Sequence, residues 1–168
     1  MINLHILCGI PASGKSTWAK QQNGKIISRD EIRKNYVGEN PGKNYFSKEK
    51  QVYKEMIANI KIAIKENVEN IYIDATHIDV SSRAKLLNNF FNLKDKNKIN
   101  LTFDYFPILL DVALRRNSER EGFAKVPEEA IKNFYFKSSI PSKDEMNKYL
   151  DWGFHNVNTI LHYTEEVQ

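Results

Sequence analysis

The sequence predicts a single α/β domain built on an open parallel sheet, and three observations point there. Short apolar runs alternate with amphipathic helical stretches along the chain. A glycine-rich stretch, GIPASGKST, follows the first apolar run and leads into the first helix. The 168 residues, 41 % hydrophobic and 27 % charged, suffice for one core, and no repeat, low-complexity tract or Pro/Gly/Ser linker divides them, so residues 1–168 read as one domain.

Strands are expected over residues 2–8, 25–28, 71–74, 99–106 and 157–163. The first helix begins near Lys15 and a short one follows Asp30. A long helix over residues 47–66 places Val52, Met56, Ile60 and Ile64 on one face by their spacing of four. Its lysines Lys50, Lys54, Lys61 and Lys65 share another face; Glu55 and Glu66 dilute their field, so they read as solvated surface rather than a nucleic-acid track. Further helices are expected over residues 81–91, with Leu86, Leu87, Phe90 and Phe91 as the apolar stripe, and over 109–120. A last one is opened by Pro127, with Glu128 and Glu129 in its first turn. Five strands with helices on both faces make a doubly wound fold.

The single cysteine, Cys8, permits no disulfide within the chain and reads as a small buried hydrophobe. No run approaches the roughly 18 apolar residues of a membrane span, and the start MINLHILCGI lacks a basic leader, so a cytoplasmic protein is expected. The net charge of +4 and pI near 9.0 permit a phosphate-rich partner without demanding one.

Gly9 to Ser16 satisfies G-x-x-x-x-G-K-[ST], a loop whose glycines let backbone N–H groups, including that of Ser13, close round a phosphate. In such a loop Lys15 reaches the β- and γ-phosphates, the Ser16 hydroxyl is a Mg²⁺ ligand, and Thr17 follows in the helix. The expected cofactors are therefore ATP, as phosphate donor, and Mg²⁺. No N-K-x-D or D-x-x-G motif supports a GTPase, and the strand before Ala75-Thr76 ends in one acid, Asp74, not the paired acids of a motor ATPase. A small kinase is the better fit.

Phosphoryl transfer to a hydroxyl needs a carboxylate at the acceptor and cations on the migrating charge. The second strand ends in Ser28-Arg29-Asp30-Glu31-Ile32-Arg33, at the sheet edge that also carries the phosphate loop. Asp30 is thus a candidate base, or only the helix N-cap; spacing leaves both open. Arg33, one turn on, suits bidentate contact with an acceptor phosphate. Arg116 and Arg120, four apart, are expected on one helical face, and the breaker-rich 121–127 stretch suits a mobile lid. A basic helix end also serves plain stability.

These pieces, in order, resemble the kinase domain of phage-type polynucleotide 5′-hydroxyl kinases. ISRDEIRKNY is similar to that family's catalytic segment, D-x-T follows the third strand, and ALRRNSEREGFAKVPEEAIKNFY is similar to its lid and following helix; the likeness covers about residues 1–140. It implies a P-loop NTPase fold with an arginine-bearing lid at about 116–126. It further implies Asp30 as general base, Arg33 on the phosphate 3′ of the terminal nucleoside, and Arg116 and Arg120 on the ATP phosphates, Arg120 bearing transition-state charge. Asp74 and Thr76 are placed at the acceptor or metal side. The implied partners are 5′-hydroxyl DNA or RNA ends, in nucleic-acid repair, with no membrane and no obligate protein partner.

His77 stands where the family often has Asn, and reads as a solvent-facing loop residue; His5, His155 and His162 read as structural. No D-x-D-G-T motif occurs, so a 3′-phosphatase domain is not expected. In the 37–46 loop region, Tyr36, Tyr45 or Phe46 either stack on a terminal base or anchor the loop. Two other functions fit the same residues: a small-molecule or nucleoside kinase, and an ATP-binding regulatory protein without transfer.

Overall fold

Along the first strand Ile2, Leu4, Ile6 and Cys8 alternate with Asn3, His5 and Leu7, and that period of two gives the sheet two unlike faces. In the computed structural model, which describes residues 1–163, five strands form one all-parallel sheet in the order β2-β3-β1-β4-β5. They are β1 (Ile2–Cys8), β2 (Lys25–Ser28), β3 (Asn70–Asp74), β4 (Ile99–Tyr105) and β5 (Asn156–Leu161). Residues 164–168 of the expected domain lie outside the described residues.

The helices are α1 (Lys15–Lys20), α2 (Arg29–Val37), α3 (Glu49–Lys65), α4 (Val80–Asn88), α5 (Leu110–Ser118), α6 (Glu128–Lys137) and α7 (Lys143–Asp151). Val52, Met56, Ile60 and Ile64 of α3 form one buried stripe, as their spacing predicts, while Lys50, Lys54, Lys61 and Lys65 are exposed. With Leu86 and Leu87 of α4 and Tyr149 of α7 they cover the Ile2/Leu4/Ile6 face. No helix was expected between the one opened by Pro127 and the last strand, but α7 lies there; Ser142 caps it by accepting the Glu145 N–H at 3.1 Å.

On the other face Trp18 and Ala19 of α1 pack on Leu7, Tyr72 and Phe106. Below them the sheet carries polar side chains: Asn3 donates to Asn70 and accepts from Asn100, both at 3.1 Å. Buried Asp104 takes His5 Nδ1 at 2.8 Å and His162 Nε2 at 2.7 Å. His5 and His162 are thus structural, as expected, and Cys8 is fully buried, its thiol pushed up to about 12 by loss of solvent. No helix among the described residues is long and apolar enough to cross a membrane.

Candidate active site

Because β1 lies at the centre of the sheet, its C-terminal end delivers the glycine loop between β3 and β4. Gly14 takes φ 94°, a left-handed conformation that favours glycine, and caps α1. At Gly9 a Cβ would stand 2.7 Å from Ser13 Oγ. Lys15 is 8 % exposed, and its ammonium reaches only the Ile10 carbonyl, at 3.5 Å. Among the described residues this buried ammonium has no carboxylate partner and the buried Ser13 hydroxyl has no partner at all, an arrangement suited to an incoming anion.

Ser16 Oγ donates to Asp74 Oδ2 at 2.6 Å, which joins Asp74 to the phosphate loop at the cleft that Asp30 also lines. Burial raises the Asp74 carboxyl above the usual range, while the nearby Lys15 charge and the Ser16 hydroxyl pull it back. Thr76 lines the cleft, and its carbonyl accepts the Gly9 N–H at 2.8 Å. That tether draws the following residues under the loop, which corrects the reading of His77. It is 3 % exposed, with φ 37°, Nδ1 3.4 Å from the Leu7 carbonyl and Nε2 without a partner. Burial, and then the Arg29 charge, lower its pKa to about 3.

Ser28, not Asp30, is the N-cap of α2, accepting the Glu31 N–H at 3.2 Å. Asp30 therefore sits in the first turn with its side chain 58 % exposed at the cleft. Arg33, 6 % exposed, lies over the rings of Tyr45 and Phe46. Four of its five N–H donors are engaged: two on Glu49, and two from Nη1 on Asp30 and the Tyr45 hydroxyl. The fork expected to face an acceptor phosphate is thus spent on Glu49, and Arg33 is the strut of Asp30. Burial alone would lower its pKa, but the Glu49 and Asp30 carboxylates outweigh it and hold the guanidinium charged. Glu49 also accepts from Arg29 Nη2 at 2.9 Å. Nothing in the local pattern marked Glu49, because it arrives from the start of α3.

Tyr45 is an anchor rather than a base platform: it is 3 % exposed and stacked on Phe123 at 5.2 Å. Phe46 lines the cleft; Tyr36 is exposed and does not line it.

The expectation that Arg116 and Arg120 share a helical face is corrected, because α5 ends at Ser118 and Arg120 lies in the turn beyond it. Arg116 Nη1 donates to the Ala12 carbonyl of the phosphate loop at 3.0 Å. The chain then passes through a 3₁₀ turn, Gly122–Ala124, where Gly122 (φ +59°) lies against the Glu39 carbonyl. Asn117, unmarked in sequence, fixes the return: its amide donates to the Val126 carbonyl at 2.8 Å and accepts the Val126 N–H at 2.9 Å.

Two recesses flank the loop. The first, about 590 Å³, holds Lys15, Ser16, Asp74 and Asp30. The second, behind the loop, is walled by Trp18, Gln21, Arg116, Leu161, His162 and Tyr163, and Arg120 lines both. Trp18 and the β5 end were not legible as lining residues, because an apolar side chain beside a recess reads as core in sequence.

A phosphate loop on the central strand of a five-stranded parallel sheet, with an arginine-bearing segment closing over it, defines the P-loop kinase fold. Residues 4–137 match the AAA domain family (AAA_33), and the chain belongs to that family. It is 32 % identical over 142 residues to L-seryl-tRNA(Sec) kinase of Methanococcus maripaludis, a match covering 82 % of this chain and 53 % of that protein. The chain thus spans about half the length of that relative. Its fold is similar to a chain of the Pnkp1/Rnl/Hen1 RNA repair complex, with TM-score 0.63 and 23 % identity over 81 % of this chain and 43 % of that one. It is also similar to a sugar kinase from Janibacter sp. HTCC2649, with TM-score 0.61 and 13 % identity over 97 % and 86 % of the two chains.

Proposed function

We propose that the chain transfers the γ-phosphate of ATP to the 5′-hydroxyl end of DNA or RNA. The observation that carries this reading is Asp30, a carboxylate freed from capping by Ser28, held by Arg33, and facing the same cleft as Lys15. A GTPase or motor would have no use for a held carboxylate on the β2 side; an acceptor hydroxyl does. The seryl-tRNA kinase relative and the likeness to an RNA repair complex support an acceptor carried by nucleic acid.

The residues present fit Mg·ATP. Lys15 and Ser13 are a buried cation and a buried hydroxyl short of partners, and the Ser16–Asp74 pair is an oxygen donor set. When bound at Ser16, with Asp74 beside it, Mg²⁺ supplies charge neutralisation at the β- and γ-phosphates. Lys15 binds the phosphate oxygens. Asp30 takes the proton from the acceptor hydroxyl as that oxygen bonds to the γ-phosphorus and the bond to ADP breaks. Arg120, which lines the recess that holds Lys15 and Asp30, meets the charge on the transferring group there.

The test is transfer of labelled γ-phosphate to 5′-hydroxyl oligonucleotides, with 5′-phosphorylated oligonucleotides as controls. Wild type labels the hydroxyl ends alone, and Asp30→Ala loses roughly 10²–10⁴-fold in rate. A second reading, the serine hydroxyl of a charged tRNA, is favoured by the 32 % identity to the seryl-tRNA kinase. A seryl-tRNA arm decides between them: label there and not on oligonucleotides replaces the first reading with the second.

A further inference from the structure

The cleft has two walls, and the charges on them are not treated alike. On the β2 side Arg29 and Arg33 are neutralised by Glu49 and Asp30. Lys85 of α4 and Lys137 of α6 also line the cleft, both exposed, and neither is in an ion pair among the described residues. Elsewhere on α6 the pattern is the reverse: Lys132 pairs with Glu128 at 3.0 Å and Glu129 at 3.5 Å, outside the cleft. Asn133, Phe134 and Lys137 share the cleft-facing side of α6, spaced as one helical face. Lys85 Nζ sits 4.6 Å above the Tyr53 ring, which also takes Arg29 at 5.3 Å, so Lys85 stands at the rim beside the Asp30 wall.

We infer that Lys85 and Lys137 hold the phosphodiesters that follow the terminal nucleoside of a single-stranded acceptor, so that the acceptor is recognised as a strand rather than as a lone nucleoside. The inference rests on the proposed 5′-kinase activity. Arg33 has one N–H to spare among the described residues, whereas Lys85 and Lys137, in no ion pair among those residues, present exposed ammonium groups that suit a polyanion. The half-buried Phe134, one turn before Lys137, offers an apolar surface between the charges. The recess that these residues line, about 590 Å³, is on the scale of a site for a nucleotide-sized ligand.

Steady-state transfer is measured on a nucleoside 3′-phosphate, a trinucleotide and a ten-nucleotide strand, all with 5′-hydroxyls, at several salt concentrations. For wild type, KM falls as the acceptor lengthens. Lys85→Met and Lys137→Met each raise KM for the longer acceptors about 10-fold with kcat retained. Each also makes the slope of log(kcat/KM) against log salt shallower by about 0.7. Arginine at either position restores most of the loss, and Lys50→Met, on the outer face of α3, moves neither quantity. Variants with wild-type KM and slope on strands that wild type phosphorylates well overturn the inference and leave the 5′-kinase reading standing. A wild type that labels no oligonucleotide overturns both.

Discussion

Arg33 and Arg83 are both shut away from water, and each is clamped by a glutamate through two N–H···O bonds, yet the two clamps end in different places. Arg83, fully buried, donates to Glu145 at 2.8 Å twice and spends its other donors on the carbonyls of His77 and Ser139 and on the Ser139 hydroxyl. Glu145 in turn accepts the Tyr149 hydroxyl at 2.9 Å. That network is closed, and it ties the segment after β3 to α7. Arg33 has the same chemistry with Glu49, but its chain of bonds runs on to Asp30, which is more than half exposed in the cleft. A buried arginine–glutamate pair by itself says nothing about function; what matters is whether the network ends in protein or in the cleft.

The largest effect should come from the closed network. Arg83→Met leaves Glu145 buried without its cation, at a cost of about 3–5 kcal/mol of folding free energy, a large share of the roughly 5–15 kcal/mol typical of a domain. The Arg83→Met/Glu145→Met double variant recovers much of that loss, because it buries no orphaned charge. Urea unfolding monitored by circular dichroism measures both. A single variant as stable as wild type would break the comparison, since Arg83 would then be no more than a bystander.

The same surgery on the open network should fall mainly on rate. Glu49→Gln keeps a hydrogen-bonding group for Arg33 but removes the charge that shares it with Asp30. Folding stability drops by about 1–2 kcal/mol, because the pair is partly solvated. The predicted kinetic signature is a fall in kcat of about 10-fold, from a displaced base, with KM for ATP unchanged. Loss of ATP affinity instead would mean that Glu49 organises the phosphate loop rather than the Asp30 wall.

How far the sequence revealed this arrangement depends on whether a residue's role was local. The phosphate loop was fully legible, since its demands (Gly14 with positive φ, Lys15 and Ser16 opening α1) fall within eight residues. The α3 stripe was equally plain from its spacing. Asp30 was ambiguous only until Ser28 was seen to do the capping, and Ser28 followed three residues later by Glu31 is itself a start signal. The half-polar sheet was legible too: Ile99, Leu101, Phe103 and Tyr105 alternate with Asn100, Thr102 and Asp104, the pattern of a strand with one dry face. Glu49, Glu145 and Asn117 were not legible, because each acts on a partner that only the fold brings near. His77 was misjudged for the same reason, as a loop position says nothing of the Gly9–Thr76 tether above it.

His77 sharpens the comparison because it stands between the two networks. Its carbonyl accepts from Arg83 at 3.1 Å, and its ring is held neutral by burial and by the Arg29 charge, with a pKa near 3 against 6.5 for a free histidine. The unfolded chain therefore binds a proton below about pH 6.5 that the folded chain refuses until about pH 3, so stability falls with acidification across that window. Between pH 7 and pH 5 this one residue should cost about 2 kcal/mol. In His77→Asn, urea unfolding at the two pH values should lack that part of the difference, whatever the variant's stability at pH 7. The proposed transfer activity at pH 5, measured under conditions where the chain stays folded, should be unaffected by charge on His77, since the ring carries none there. An equal acid sensitivity in wild type and His77→Asn would mean that the buried ring is not what the acid acts on, and would remove His77 from its place between the two networks.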